Sequence, residues 1–461
     1  MGHVFSDDSY YSQLAISFLE GTYPQDFIGY PVDLARKLIT VLTAAGFSLF
    51  GYNEIGSVAF SFLFSLLSIG LIYAITVELF DKKTALISAF ILSIFPIDII
   101  FATLNFSDLI AAFFINFGIY YFIRYLKYHQ AKDSFFAGIY FAVSIFGKIN
   151  FYYVGILIVI LFVYRFIKTH KIDQGILISL LIPAFILFVE AIIYGTQSGN
   201  YLYRLHLIEE NYKYCYYDFF PYLKNAESLT GFNYFAAVLR QIFVENLKDI
   251  FLRRFYLFMP VLALVQSLLL IRIEKNKGIV FWFLGIVILF AAMTTSFSAY
   301  KPLNLTFSWH LYPIFFPSII LASSFINRFS VKIKSIFFII LIAASLVMTN
   351  EYQNYFAVEQ KNEFKKFIRE HNSELIYTDH QTKYGIDLID GYPKLRRTKI
   401  VTGIELPVSN IPPNSFVIYN PDVVNELMKQ GHKFKLFSEL YSGQFKLVDV
   451  IAGYEIYRKL E

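Results

Sequence analysis

The run SVAFSFLFSLLSIGLIYAITVEL, from Ser57 to Leu79, holds 23 residues with a single charge, Glu78. About 20 helical residues at ~1.5 Å each cross the ~30 Å hydrocarbon layer of a bilayer, so this stretch reads as a membrane-spanning helix. Similar runs follow at 84–102, 108–126, 134–147, 152–167, 176–194, 255–272, 279–296, 309–326 and 335–349. The expectation is an α-helical polytopic membrane protein of about ten spans. Composition agrees: of 461 residues, 56% are hydrophobic and 16% charged, against about 25% charged in soluble domains. The 52 Phe and 35 Tyr suit lipid-facing surfaces and interfacial belts. The single Cys215 cannot form an intramolecular disulfide. No Lys/Arg run with interleaved aromatics suggests nucleic acid.

The connections between runs carry the orientation, because cytoplasmic loops are enriched in Lys and Arg. Basic residues gather at Lys82/Lys83, Arg124/Lys127/Lys132, Arg165/Lys168/Lys171, Arg272/Lys275/Lys277 and Arg328/Lys332/Lys334. These are alternate connections. The short connections between them hold only Lys148 and Lys301. The opening residues, Asp108, Lys148, the 195–250 loop, the 297–310 loop and the C-terminal tail are therefore expected to share the non-cytoplasmic side of a cell membrane. The first twenty residues show no cleavable signal pattern. If they lie outside the cytosol, either the tail crosses unaided or another span precedes it.

Outward from the spans, residues 34–50 read as an interfacial helix with Arg36 and Lys37 at one end. The 195–250 loop, with Tyr201, Tyr203, Tyr212, Tyr214, Tyr216 and Tyr217, reads as an ordered cap. After Met348 the composition becomes that of a soluble domain. Helices are expected at 362–371 and 422–430, strands at 374–377, 399–404 and 415–419, and a closing hairpin at 445–451 and 454–457. The division is a multi-span domain over 1–349 and a small extracytoplasmic α/β domain over 350–461.

Candidate chemistry lies on the expected outer side. Asp7 and Asp8 are adjacent acids opening an amphipathic segment. Helix neighbours point about 100° apart, so the two face different partners. One suits a general base and the other the orientation of a basic group or metal; the structural alternative is that Asp7 or Ser6 caps the helix. Asp108 borders a span, as a functional acid or as an N-cap. Lys148 is a cation where the positive-inside rule asks for none, placed to hold a lipid phosphate or to snorkel. The same reasoning covers Lys301, His310 and Tyr312, while Arg204, His206, Glu209 and Glu210 are further loop candidates. No metal-ligand cluster, nucleophile elbow, P-loop or dinucleotide fingerprint is present. No cofactor is assigned with certainty, and the acids leave room for a divalent cation.

Several stretches together resemble the GT-C superfamily of membrane glycosyltransferases, in the branch of protein O-mannosyltransferases and lipid A aminoarabinose transferases. They are Asp7-Asp8-Ser9-Tyr10 with Ala15, Gly29-Tyr30-Pro31, Leu49-Phe50-Gly51-Tyr52-Asn53, Pro96, Ser107-Asp108, Gly147-Lys148 and His310-Leu311-Tyr312-Pro313 with Pro317. The resemblance runs over about 5–330. It implies a polyprenyl- or dolichyl-phosphate sugar donor, inverting single displacement, Asp7 as base with Asp8 in support, and lipid phosphate met by Lys148 or the last outer loop. The acceptor is a protein, lipid or glycan of the cell envelope. Three features depart from the family: its first span is missing ahead of the acids, Asp8 stands where Glu is common, and His310 where Arg is common. A flippase or transporter of a lipid-linked or anionic substrate is the alternative, but transporters gather ionisable groups near the bilayer midplane. Here the candidates gather at one interface. An oligosaccharyltransferase-type catalytic subunit calls for a Trp-Trp-Asp signature in the soluble domain, whereas Trp282 and Trp309 both precede it.

Overall fold

The computed structural model describes residues 6–23, 31–148, 151–214, 229–273, 276–294, 300–305, 308–355, 358–371, 373–389, 398–400, 411–429, 440 and 443–460. Gly29, Tyr30, Tyr216, Tyr217, Lys275 and the 401–404 part of the expected strand lie outside the described residues. The helices are α1 Asp7–Glu20, α2 Lys37–Phe50, α3 Glu54–Leu79, α4 Lys82–Ser93, α5 Pro96–Phe101, α6 Ser107–Tyr128, α7 Ala131–Ile145, α8 Phe151–Thr169, α9 Gln174–Ser198 and α10 Tyr203–Tyr214. They continue as α11 Gly231–Arg240, α12 Leu247–Leu252, α13 Met259–Leu270, α14 Lys277–Ala291, α15 Tyr312–Ile326, α16 Val331–Tyr355, α17 Val358–Glu370, α18 His380–Ile389 and α19 Pro421–Lys429.

Five of these are long and apolar enough to cross a membrane: α3, α6, α8, α9 and α16; α2, α13, α14 and α15 are shorter apolar helices. Phe185, Phe188, Ile339 and Leu346 stay exposed on α9 and α16, where lipid replaces water as solvent. The expected run at 84–102 is not one helix. Pro96 lacks the N–H that would continue α4, so a new helix, α5, starts there with Pro at its first turn. Phe95, Phe101, Tyr256, Tyr312 and Phe315 interlock around this break, with Phe95 and Phe315 centroids 5.0 Å apart. The step from α2 to α3 uses Gly51 at φ 83°, the left-handed region that favours glycine, and Asn53, whose side chain accepts from Gly56 N–H at 2.9 Å to cap α3.

Four of the five basic connections meet at one end of the bundle. Glu78 at the end of α3 pairs with Lys127 at 3.0 Å and Arg124 at 3.6 Å at the end of α6. Arg124 also reaches Asp133 at the start of α7, at 3.5 Å. Arg165 pairs with Asp173 at 2.7 Å, to which Tyr125 also donates. Asn327, after α15, donates to Thr84 of α4 at 3.0 Å. The starts of α1 and α6 and the end of α7 lie together at the other end.

The C-terminal part is a five-stranded sheet ordered β2-β1-β3-β5-β4, with β1 Ile376–Thr378, β2 Thr398–Ile400, β3 Phe416–Tyr419, β4 Phe445–Ile451 and β5 Tyr454–Lys459. β1 runs parallel to β2 and β3, and β5 is antiparallel to β3 and β4. Phe364, Phe367 and Ile368 of α17 and Ile386 of α18 pack on one face with Ile376, Phe416 and Ile456. Val423 and Val424 of α19 pack on the other with Tyr377, Val417 and Tyr457. The expected elements are present with shifted ends; α18 is an element that sequence patterning did not show. The sheet domain docks on the membrane part, where Lys365 of α17 ion-pairs with Glu54 at the start of α3 and Arg369 lies 3.9 Å from the same carboxylate.

Candidate active site

At the non-basic end of the bundle, helix α1 begins at Asp7 with Ser6 in the N-cap position, and Ser6 makes no side-chain cap. The carboxylate that serves the helix backbone is Asp8. It is fully buried, and its Oδ1 accepts from Ser6 N–H at 2.6 Å and Ser9 N–H at 3.0 Å. Asp7 is free of that duty and turns elsewhere: its Oδ2 lies 3.7 Å from Arg36. Although 39% of the Asp7 side chain stays exposed, the protein packed around its carboxyl raises it above the usual carboxylate value; Arg36 opposes the shift, and the Asp108 and Asp8 charges add to it. Lys148 also acts on Asp7, lowering it.

Arg36 is the hub. It lies in the short connection before α2, pairs with buried Asp33 at 3.1 Å, and donates to the hydroxyl of Tyr11. Tyr11 and Asp7 are four residues apart on α1, hence on one face, which is why a single guanidinium reaches both. Lys148 follows the end of α7 and ion-pairs with Asp108 in the first turn of α6, both side chains under 10% exposed. Gly147 allows this. A Cβ there would stand 2.8 Å from the Cβ of Ala111, so only glycine lets the end of α7 seat on α6. Burial pulls the Lys148 ammonium below its ordinary pKa, with Asp108 opposing and Arg36 reinforcing.

Arg36 and Lys148 line a narrow cavity of about 30 Å³ together with Val32, Ala35, Ile145, Arg204, Ile208, Asn211, Met293 and His310. His310 sits in a 3₁₀ turn just before α15. Its imidazole lines the pocket, and a neutral ring has one N–H to donate. Arg204 comes from α10 in the long loop. It is bidentate to Glu190 of α9 at 2.6 and 2.8 Å and donates to the carbonyls of Ile145 and Ala35, each at 3.2 Å. One side chain thus ties the cap to two walls of the pocket. Lys37 reaches Glu190 at 3.3 Å.

The expected candidates divide. Lys148, His310 and Arg204 line the pocket, and Asp108 and Asp7 stand behind it as the partners of Lys148 and Arg36. Asp8 lies beside them but faces the C-terminal domain, within electrostatic reach of Lys361 and Tyr454. Lys301 is exposed and off the pocket walls, its N–H donating to Thr294 at 3.2 Å. Tyr312 is buried, packed on Phe101 and Phe315 and donating to the carbonyl of Ile97 at 3.4 Å. His206 pairs within its own helix with Glu210, at 3.1 Å. Asp33 escaped sequence reading, and Arg36 was read only as a helix-end charge. The signal for Arg36 was the one that singled out Lys148, a cation on the side where positive-inside does not require it. Among the described residues no group of three or more His, Cys, Asp or Glu side chains could hold a metal ion.

Residues 38–194 match the family model described as dolichyl-phosphate-mannose-protein mannosyltransferase; the acid pair lies ahead of the matched segment. No curated protein matches the chain. Among solved structures the chain is similar to ArnT from Cupriavidus metallidurans bound to undecaprenyl phosphate, with 11% identity, 98% of this chain and 93% of that chain covered, and a TM-score of 0.57. It is also similar to the Archaeoglobus fulgidus oligosaccharyltransferase in complex with zinc and sulfate, at 13% identity, 98% and 69% coverage and a TM-score of 0.54. A third is archaeal oligosaccharyltransferase AglB from the same organism, in complex with an inhibitory peptide and a dolichol-phosphate, at 13% identity, 90% and 65% coverage and a TM-score of 0.50.

Proposed function

We propose that this chain, which belongs with the GT-C glycosyltransferases through its mannosyltransferase-family segment and its ArnT-like fold, transfers a sugar from a polyprenyl- or dolichyl-phosphate carrier to an acceptor on the non-cytoplasmic face. The observation that carries the reading is that Arg36, Lys148 and His310, drawn from three separate stretches, line one pocket while Asp7 stands 3.7 Å from Arg36 at its edge, at the end opposite the basic connections. The lipid phosphates bound in the solved neighbours support a carrier of that chemistry. In this reading about ten segments cross the bilayer. The basic connections face the cytoplasm, and the 350–461 domain stands outside with the acids.

The reaction is a single displacement with inversion. The acceptor oxygen attacks the anomeric carbon as the bond from that carbon to the phosphate oxygen breaks. Asp7 takes the acceptor proton, and the bonding pair leaves on the phosphate. Lys148 has three donors; one holds Asp108 and the others are free to turn to the phosphate oxygens, with Arg36 and neutral His310 adding hydrogen bonds as charge builds there. Asp8 supports Asp7 by ordering the helix start. Lys301 and Tyr312 stand outside the donor pocket. The acceptor is a protein, lipid or glycan of the cell envelope.

The test is transfer in detergent with a panel of radiolabelled polyprenyl-phosphate sugars. Asp7→Asn is expected to lose transfer while still binding the carrier. Wild-type-like transfer by that variant removes Asp7 from the chemistry.

A further inference from the structure

Helix α1, which carries the acid pair, is held from two sides. From the membrane side α2 holds it, through a cluster of Ala15, Ile16, Ala44 and Phe47. From the other side the C-terminal domain closes on it. The hydroxyl of Tyr10 meets His380 Nε2 at 3.2 Å and Gln381 Oε1 at 3.4 Å, and the ring stands edge-on to Tyr384. Leu388 of the same helix α18 completes the Ala15–Ile16 cluster. Tyr10, His380, Leu388 and Asp8 are all buried. Asp379 fixes the start of α18 by accepting from the N–H of Thr382 at 2.9 Å and its hydroxyl at 2.7 Å.

We propose that α18 is a positioning element for the reaction: by gripping Tyr10 through His380 and Gln381 it sets the rotation of α1 that turns Asp7 toward Arg36. The inference rests on the reading of Asp7 as the base. A helix rotation moves a carboxylate by ångströms, and displacement of a reacting group by ~1 Å costs on the order of 100-fold in rate. In the proposed reaction the phosphate is held by Lys148, which Asp108 of α6 anchors, by His310, and by Arg36, which Asp33 also fixes outside α1, so carrier binding should be largely spared.

The experiment uses the full chain. His380→Ala is expected to lower kcat ~10- to 100-fold with donor KM unchanged, and to speed amide hydrogen exchange in residues 7–20 while the spans stay protected. His380→Gln, which keeps a polar partner for Tyr10, should recover most of kcat. Tyr10→Phe keeps the ring contacts, removes the hydroxyl, and serves where His380→Ala does not fold; it should show the same kcat-only loss. Unchanged exchange in 7–20 together with wild-type kcat overturns the proposal, and so does a loss that falls on donor KM. The exchange readout separates the two readings. Activity in Asp7→Asn overturns the base assignment, whereas faster exchange in His380→Ala still supports the clamp.

Discussion

Replacing Lys148 with methionine probes the pocket most sharply, because the ammonium has two duties that a second substitution can separate. Lys148 and Asp108 are both buried and paired. Removing one partner of such a pair leaves an uncompensated buried charge and costs about 3–5 kcal/mol, whereas neutralising both partners with residues of similar shape is close to neutral. Lys148→Met should therefore lower stability in detergent by about that amount, and Lys148→Met/Asp108→Asn should restore most of it. Turnover should behave differently. A hydrogen bond from a charged donor to phosphate is worth about 1.5–3 kcal/mol, which corresponds to a ~10- to 150-fold loss in kcat/KM for the donor. That loss should persist in the double variant. The assay pairs thermal unfolding with initial rates across donor concentration in one preparation. A double variant that regains both stability and donor kcat/KM would falsify the phosphate role, because Lys148 would then serve only to neutralise Asp108.

Two further outcomes follow from the same geometry. Arg36 lowers the Asp7 carboxyl against the upward push of the protein packed around it. A base works only when deprotonated, so activity should rise with pH through that raised value, and Arg36→Gln should move this acid limb of the kcat/KM profile to higher pH; an unchanged or downward shift contradicts the pairing. Gly147→Ala places a methyl 2.8 Å from the Cβ of Ala111, so it should cost ~1–3 kcal/mol of stability and reduce donor use by displacing Lys148. Ala111→Gly should reverse part of both effects, since the Ala111 Cα at 3.2 Å and Leu38 at 3.3 Å remain, and the absence of any rescue rejects the packing account.

How far the fold was legible follows from the range of each signal. A membrane span is a local property: twenty apolar residues satisfy their own backbone hydrogen bonds, and the hydrocarbon asks nothing of their partners. Hence five of the ten expected runs appear as helices long enough to cross, and three more, 255–272, 279–296 and 309–326, contain shorter apolar helices. The run at 84–102 broke because one residue, Pro96, removes a donor that hydropathy does not weigh. The alternating basic connections were legible for the same reason, and the contacts of Glu78, Arg124, Asp133 and Asp173 bring several of them to one end. Helix α18 was not legible. His380-Gln381-Thr382-Lys383-Tyr384-Gly385 lacks a continuous 3.6-residue apolar stripe, because its polar residues are buried against α1; the one local signal was Asp379 standing before a turn.

The candidate site divides along the same line. Sequence alone could nominate Asp7, Asp108, Lys148 and His310, since each is a charged or polar side chain at the margin of an apolar run, where solvation makes it costly without a purpose. It could not say that Asp8 spends its Oδ1 on the start of its own helix while Asp7 looks to Arg36, that Lys148 meets Asp108 across forty residues, or that Lys301 and Tyr312 stand off the pocket. Those assignments depend on which helices cross and on which face each presents. That is settled by packing between residues far apart in the chain, and no local pattern encodes it.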